Sequence, residues 1–408
     1  MIAIILSPIY LLVCIYVLQW MLRWMTACHS VLGSAPFQYT FIAVYFLTAT
    51  TLLSSFLIKH PIWLRRTLKK ISNLWLGIFF YTLAGIGIAD LLRILLHLFR
   101  ISQQSWYPSH VLFLFTGALT GFLILTLGMY GTCHARKLYT TTYHISLSKK
   151  CRLGKTLDIA LIADLHLGYN TDELLLSNMV NRINDAHPDL VVIAGDTFDN
   201  EFQSIHNPDQ CARILRKLNS TYGTFACYGN HDLDEKILAG FTFGGQLPEA
   251  DQRFQSFFRE AGITLLEDEV RLISESFYLI GRKDPSRCRK LLCEGTRMTP
   301  KKLTENLDHT IPVFVIDHQP RELNALADAG VDLDLSGHTH NGQLFPGNLL
   351  LKFICENPYG VRRKKDMFSV VTSGAGIWGP NMRTATNSEI CSITVHFYPA
   401  RPNSSDPS

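Results

Sequence analysis

The sequence predicts an α/β domain behind a membrane-embedded region, and three observations carry that expectation. Four apolar runs, at residues 2–22, 39–58, 74–92 and 111–129, are each long enough to cross a bilayer as a helix, and Asp90 is the one charge inside them. Beyond them, short strand-like runs alternate with helical patterns, as expected where helices pack on at least partly parallel sheets. Five of those runs close on a short polar block, and strands that end alike bring their ends to one sheet edge, where open α/β sheets bind ligands.

The membrane region is expected to occupy residues 1–137. Its first run lacks a basic leader, is longer than a signal-peptide core and is followed by Arg23-Trp24-Met25 rather than small residues, so it is expected to stay as a helix. Polar loops are expected at 23–37, 59–73 and 93–110, with Trp106 and Tyr107 as interfacial aromatics before the fourth span. Asp90 and Arg93, three apart near the end of the third span, can pair on one helix face. With four spans, Lys59, Arg65, Arg66, Lys69, Lys70, Arg136 and Lys137 share one side, against Arg23, Arg93 and Arg100 on the other. That bias predicts a cytoplasmic catalytic domain on an integral protein of the plasma membrane.

Residues 138–398 are expected to form the soluble domain, entered by a linker from Lys137 to Thr156 and followed by a disordered tail at 399–408. Ten of the 38 Lys and Arg but only one of the 34 acids lie in residues 1–137, which leaves 28 basic and 33 acidic groups beyond. So mildly acidic a domain is a poor nucleic-acid binder. Thr171, Asp172 and Glu173 open a helix with Leu174, Leu175, Val180 and Ile183 on its apolar stripe, and another runs from Pro320 to Gly330. The ten cysteines are scattered without a Cys-x-x-Cys pair, the pattern of free thiols rather than of a zinc site or a disulfide framework.

The five blocks are Asp164-Leu165-His166 after the run 157–163, Gly195-Asp196 after 190–194, Gly229-Asn230-His231-Asp232 after 224–228, Asp317-His318 after 311–316, and Gly337-His338-Thr339-His340 after 331–335. Singly, each is common: a Gly-Asp is usually a turn, and a histidine after a strand is usually a hydrogen-bonded structural residue. In series they supply metal-competent side chains at every strand end. Hydrolysis of a phosphoester at neutral pH needs a stronger nucleophile than water and neutralised phosphoryl oxygens. Two divalent cations about 3.5–4 Å apart supply both, through a bridging hydroxide and a clamp on the phosphate. Asp196 is the candidate bridge, and His338 and His340, two residues apart, reach one face of an extended segment.

The order of these blocks resembles the calcineurin-like metallophosphoesterase superfamily over roughly residues 143–398. The run from His338 to Pro346, with Thr372-Ser373-Gly374-Ala375-Gly376 and Pro380-Asn381-Met382-Arg383, is similar to its membrane-associated branch, which includes YkuE-like phosphoesterases, transmembrane proteins with a metallophosphoesterase domain and some UDP-diacylglucosamine hydrolases. The resemblance implies a four-layer sandwich of two mixed β-sheets flanked by helices. It also implies one metal held by Asp164, His166, Asp196 and His340, and a second by Asp196, Asn230, His318 and His338. His231 would then protonate the leaving oxygen or stabilise its charge, with Asp232 either orienting it or serving as a surface or capping acid. Nitrogen and oxygen ligands without thiolate suit Mn, Fe or Zn, with Mg also compatible. Purple acid phosphatases carry a tyrosine three residues after the bridging aspartate; here Asp199 stands there, so no iron–tyrosinate is expected.

The function expected is thus a membrane-bound binuclear-metal phosphoesterase that cleaves a phosphate ester or pyrophosphate bond. Its partners would be the lipid bilayer and a phosphorylated small-molecule or lipid substrate, such as a UDP-diacylglucosamine-like or phospholipid molecule. The alternative is a transporter or membrane-complex subunit with a regulatory phosphoesterase-like domain. Arg362-Arg363-Lys364-Lys365 is expected either as a headgroup contact or as a solvated loop.

Overall fold

A computed structural model of the chain describes residues 2–58, 60–101, 109–234, 236–238, 241–243, 252–290 and 297–398. Lys59, Trp106, Tyr107, Cys293 and the 399–408 tail lie outside the described residues. The chain divides into two compact units: one takes residues up to Cys133 with Lys236–Phe243 and Gly379–Met382, and the other takes the remainder.

Among the described residues the first unit holds five helices, α1 (Ile2–Cys28), α2 (Ala35–Ala49), α3 (Thr51–Leu57), α4 (Ile62–Leu98) and α5 (Ser109–Ala135), and a short hairpin of β5 (Lys236–Leu238) and β6 (Phe241–Phe243). Three helices, α1, α4 and α5, are long and apolar enough to cross a membrane; α2 and α3, bent by 42°, make a fourth if they count as one span. The bend falls in a hydroxyl cluster. Thr50 Oγ1 donates to the Phe46 and Leu47 carbonyls and Thr51 Oγ1 to Thr48, side-chain bonds that compete with the helix ladder. The expected loop at 59–73 is corrected: Arg65, Arg66, Lys69 and Lys70 belong to α4, because a helix continues through charged residues whose stems leave the backbone ladder intact. The Asp90–Arg93 pair forms at 3.1 Å, and Asp90 also accepts from Tyr16 Oη at 2.6 Å and Trp20 Nε1 at 3.1 Å. With Arg93 lying 4.4 Å over the Phe113 ring, the pair ties α1, α4 and α5 together.

The second unit is built on two six-stranded sheets. In chain order its elements are β1 (Leu138–Leu147), β2 (Thr156–Ile162), α6 (Glu173–Asp185), β3 (Leu190–Ala194), α7 (Pro208–Leu215), β4 (Thr224–Cys227), α8 (Gln252–Glu260), β7 (Thr264–Leu265), β8 (Glu269–Ile273), β9 (Phe277–Gly281), α9 (Pro285–Lys290), α10 (Pro300–Thr304), β10 (Val313–Ile316), α11 (Leu323–Asp328), β11 (Leu333–Ser336), α12 (Gly347–Ile354), β12 (Gly360–Lys364), β13 (Met367–Val371) and β14 (Ser388–Phe397). The sheet orders are β1-β14-β2-β3-β4-β7 and β12-β13-β11-β10-β9-β8.

Period-two alternation along each strand builds the layers. In β2, Leu157, Ile159 and Leu161 join Val192, Phe225, Leu279, Phe314, Leu335 and Val370 between the sheets, while Ala160 and Ile162 face α6, α7 and α8. The outer face of the second sheet packs Val313 and Val315 on Leu303, Leu323 and Leu326. Helix, sheet, sheet and helix are the four layers expected. Buried on both faces, the central strands are continuous apolar runs, which is why they stand out in the sequence.

Three local expectations are corrected. The 137–156 linker contains β1, ten residues paired in parallel with β14, for its Thr, Tyr and Ile are strand formers. Asp172 caps α6 by accepting from Leu175 N, and the buried stripe is Leu175, Leu176, Met179, Val180 and Ile183, with Leu174 pointing out. The helix expected from Pro320 begins at Leu323, after Glu322 turns left-handed at φ 57°.

Candidate metal centre

Five of the nine predicted site residues have left-handed backbone: Asp164 (φ 53°), His166 (43°), Asp196 (48°), His338 (75°) and His340 (48°). Such conformations are costly outside glycine and collect where surrounding structure enforces a site. Two glycines make the crowding possible. A Cβ on Gly195 would lie 2.6 Å from His318 Nδ1, and one on Gly229 would lie 2.2 Å from Asp196 Oδ1.

The strand ends bring the side chains into two groups. Asp164, His166 and His340 form one, with His166 Nε2 3.0 Å from His340 Nε2 and His340 Nε2 3.8 Å from Asp164 Oδ1. Asp196, His318 and His338 form the other: His318 Nε2 lies 3.1 Å from Asp196 Oδ2, 3.2 Å from His338 Nδ1 and 3.0 Å from Asn230 Oδ1. Asp196 stands between them, since its Oδ2 is also 3.9 Å from His166 Nε2. Its other oxygen is not free as a strand-end Gly-Asp suggests, for Oδ1 accepts the His231 N–H at 2.7 Å.

Several contacts fix the ring orientations. His318 Nδ1 donates to the Ala194 carbonyl at 3.0 Å, which turns Nε2 toward the site. The Asp199 carboxylate lies 3.6 Å from His166 Nδ1. The His338 N–H reaches both Asp164 oxygens, at 3.1 and 3.0 Å.

Electrostatics separate the groups by role. Burial works against an ionised Asp196, yet His318 and His231 hold its carboxyl well below the usual range. Burial pushes Asp164 up to about 6, with His318 pulling the other way. Burial pushes His338 down to about 3, helped by His318, and, with His166 and Arg383, holds His340 well below its usual value. Burial works against charged His318 and His166 rings, yet Asp196 holds His318 well above its usual value and Asp199 and Asp196 raise His166, so a cation bound here would displace protons from those two rings and take the neutral His338 and His340 as they stand.

The expected role of Asp232 as partner of His231 is corrected. Fully buried, Asp232 accepts from Phe198 N at 2.8 Å and Gly229 N at 2.7 Å, because those amides end the two strand loops and need an acceptor. It is neither a surface acid nor a helix cap. The partner of His231 Nδ1 is Asn200 Oδ1, in a short hydrogen bond.

Four residues near the site lie outside the five blocks. Asp199 and Asn200 follow Asp196 closely, and their only signal is that proximity. Trp378 places its ring 5.7 Å from His231 and 6.4 Å from His340. Arg383 is fully buried, with Nη2 3.3 Å from His340 Nδ1 and bonded to the Gly374 and Gly376 carbonyls. Arg362, Arg363, Lys364 and Lys365 mostly form strand β12, where they meet Glu356, Asp366 and Asp328 rather than the site.

Comparison with known proteins gives the class. The profile described as calcineurin-like phosphoesterase matches residues 157–342. An uncharacterised metallophosphoesterase of Aquifex aeolicus is 30% identical over 279 residues, 67% of this chain and 98% of that one. The chain therefore belongs to the calcineurin-like phosphoesterase family, whose members are metal-dependent phosphoester hydrolases. It is also similar to a transmembrane protein with metallophosphoesterase domain from Danio rerio (28% identity, 59% of this chain and 53% of that one). A third relative is the UDP-2,3-diacylglucosamine pyrophosphatase LpxG of Chlamydia trachomatis (24% identity, 64% and 90%). Matches in Helicobacter pylori strain 26695 and Campylobacter jejuni cover 61% and 60% of those relatives' length. With its apolar helices, the chain is membrane-associated.

Proposed function

We propose that the chain is a membrane-spanning phosphoesterase that holds two divalent cations, one through Asp164, His166, Asp196 and His340 and the other through Asp196, Asn230, His318 and His338. The observation that carries this reading is the single Asp196 oxygen facing both histidine groups, at 3.9 and 3.1 Å. The donor set fits: ring nitrogens approach ring nitrogens at 3.0 and 3.2 Å around buried carboxylates, an arrangement that a cation relieves. Nitrogen and oxygen donors favour Mn, Fe or Zn, with Mg compatible. Two such ions would supply an acidified water and neutralise the phosphoryl oxygens.

The chain's own residues do the rest. The His231 N–H fixes Asp196 Oδ1, while the His231 ring, with Nδ1 bonded to Asn200 Oδ1, keeps Nε2 for the substrate. Burial holds that ring down to about 4 against the pull of Asp196; the negative charge of a phosphoester beside it would favour the imidazolium, so Nε2, protonated from solvent, would give its proton to the leaving oxygen. Asp232 acts indirectly, by tying the Phe198 and Gly229 amides that set the His231 loop.

A membrane-borne phosphate ester or pyrophosphate lipid is the substrate class, supported by the apolar helices and by likeness to LpxG. The excess of Lys and Arg beside the 59–73 segment and after α5 supports a cytoplasmic catalytic unit in the plasma membrane, with α2 and α3 as one span. The test uses full-length protein in nanodiscs, stripped by chelator and reloaded with Mn, Fe, Zn or Mg. Aryl monoesters, aryl diesters, a phosphatidic acid and UDP-diacylglucosamine are offered in turn. Hydrolysis of a lipid in at least one metal form is expected; none with any metal or substrate would sink the proposal.

A further inference from the structure

Among the described residues, the apolar helices of the catalytic unit bury their apolar faces, with one exception. α6 buries five residues and α8 buries Phe254, Phe257 and Phe258, whereas α12 buries none. Its sequence, Gly-Asn-Leu-Leu-Leu-Lys-Phe-Ile, is amphipathic, but turned outward. Leu349, Leu350, Phe353 and Ile354 fall on one arc and are exposed, Phe353 at 89% and Ile354 at 76%, while Asn348, Leu351 and Cys355 are half-buried beneath. Phe345, just before the helix, is exposed as well. A contiguous apolar patch of this kind marks an interaction surface.

The register of the sheets shows which edge carries the patch. Cys391 of β14 pairs antiparallel with Leu161 of β2, so the start of β14 lies at the carboxyl end of β2, beside Asp164. Leu138 pairs in parallel with Ser388, which puts the start of β1 at that same edge. The chain therefore enters the catalytic unit from α5, a candidate membrane span, at the edge that carries the metal site. α12 belongs to this edge too. It follows the carboxyl end of β11 and precedes Gly360, which pairs with Val371 at the carboxyl end of β13.

A recess of about 560 Å³ at the chain's entry is lined by Arg136, Lys137, Asn178, Asn181 and Arg182, a cationic lining suited to anionic headgroups, although Arg136 is partly engaged by Asp172 at 3.3 Å. The helix is also fastened to the site. It begins seven residues after His340, the Thr339 hydroxyl donates to the Pro358 carbonyl at 2.7 Å, and Gln343 Nε2 donates to the Trp378 carbonyl at 2.7 Å.

We infer that α12 is an interfacial helix whose Leu349, Leu350, Phe353 and Ile354 sink into the bilayer surface and seat the metal site at headgroup level. The occupant of the patch is lipid, because the chain supplies its own membrane spans and enters the unit on this edge. Membrane-surface helices lie in the interface plane with their apolar face about 5–10 Å deep. The inference deepens the proposed function, since it gives the site direct access to a lipid phosphoester in the membrane plane.

The test places a single cysteine at Phe353 or, as the control, at Asp366, in full-length protein whose ten native cysteines are replaced. Asp366 is fully exposed and lies in the β12–β13 turn, at the opposite edge. Each site carries an environment-sensitive fluorophore in nanodiscs of phosphatidylcholine and phosphatidylglycerol, with bromines on the acyl chains. The F353C label is expected to shift to the blue and lose emission to the bromines, and the D366C label to do neither. An unquenched F353C label overturns the inference, as does one shielded by crosslinking to a second copy.

A second measurement keeps the native cysteines. The double variant L350D/F353D should raise KM for a vesicle-borne phosphoester at least about tenfold, from lost apolar burial, while its turnover of a water-soluble aryl phosphoester stays unchanged. An unchanged KM on vesicles, or equal losses on both substrates, overturns the interfacial role. Quenching at position 353 in a protein that hydrolyses no phosphoester leaves the helix assignment standing and strikes the reading of the site instead.

Discussion

Asp317 and His318 are neighbours at the end of β10, yet they enter two polar clusters of opposite character. Asp317 is buried between two guanidiniums. Arg282 Nη1 lies 2.9 Å from its Oδ2, Arg297 bonds to both of its oxygens, and Glu322 completes the group at 2.9 Å from Arg282. Every carboxylate there meets a cation of the protein, so the cluster is closed. On the other side, His318 joins buried carboxylates and imidazoles whose ring nitrogens converge on one another, with buried Arg383 as a cation at the margin. The difference separates structural charge from a candidate site: the first cluster pairs two guanidiniums with two carboxylates, whereas the second gathers buried carboxylates and imidazoles as candidate ligands.

That contrast can be broken in several places, and the largest effect falls on Asp196. D196N should bring phosphoester turnover to background while the far-ultraviolet circular dichroism stays native, because the shared oxygen is lost and the fold is not. Near-normal turnover would make the two histidine groups merely structural.

The next effect separates binding from chemistry. H231A should keep its metals but lose about 10²–10⁴-fold in rate on esters with poor leaving groups, the range of a lost general acid. Activated aryl esters should lose much less. Similar losses on both would remove the proton-transfer role and leave His231 as a fastening for Asp196.

For the closed cluster the prediction is reversed. D317N leaves two arginines facing one neutral amide in a buried place, a change that costs about 3–5 kcal/mol when one partner of a buried pair is removed. The thermal midpoint in nanodiscs should fall, with bound metal per folded chain unchanged. Metal loss without a lower midpoint would mean that the two clusters work as one. At the small end, R363A removes a pair with Asp366 at the surface, where charges are well solvated, and should leave both midpoint and metal content within experimental scatter.

The sequence reveals the metal cluster because its ligands sit immediately after strands, and a strand buried on both faces is a conspicuous apolar run. Asp164, Asp196, His318 and the pair His338 and His340 therefore stand out as strand-end residues, while their grouping into two ligand sets comes from the resemblance in block order. Asn200 and Trp378 do not stand out, since each reaches the site through loop packing that no short motif encodes, and Arg383, though it closes the Pro380-Asn381-Met382-Arg383 motif, carries no sign in the sequence that it reaches His340. The partner of His231 is misread for the same reason: Asp232 is adjacent in sequence, but its carboxylate turns back to the Phe198 and Gly229 amides. In the membrane unit, composition marks the apolar runs but misplaces helix ends, as in α4, where charged residues continue a helix, and at Thr50, where hydroxyls interrupt one. The outward face of α12 cannot be read from the sequence, because periodicity shows that a stripe exists but not which way it faces.

The central claim, that one carboxylate serves two ions, is tested most directly by counting metal. Full-length wild type and the D196N, H340A and H338A variants, loaded with Mn or Zn and freed of loose ions, would be analysed for metal per chain by mass spectrometry. The account predicts two ions in the wild type, one in H340A and in H338A, and close to none in D196N. Two ions retained in D196N, or a wild type that holds none under any loading, would contradict it.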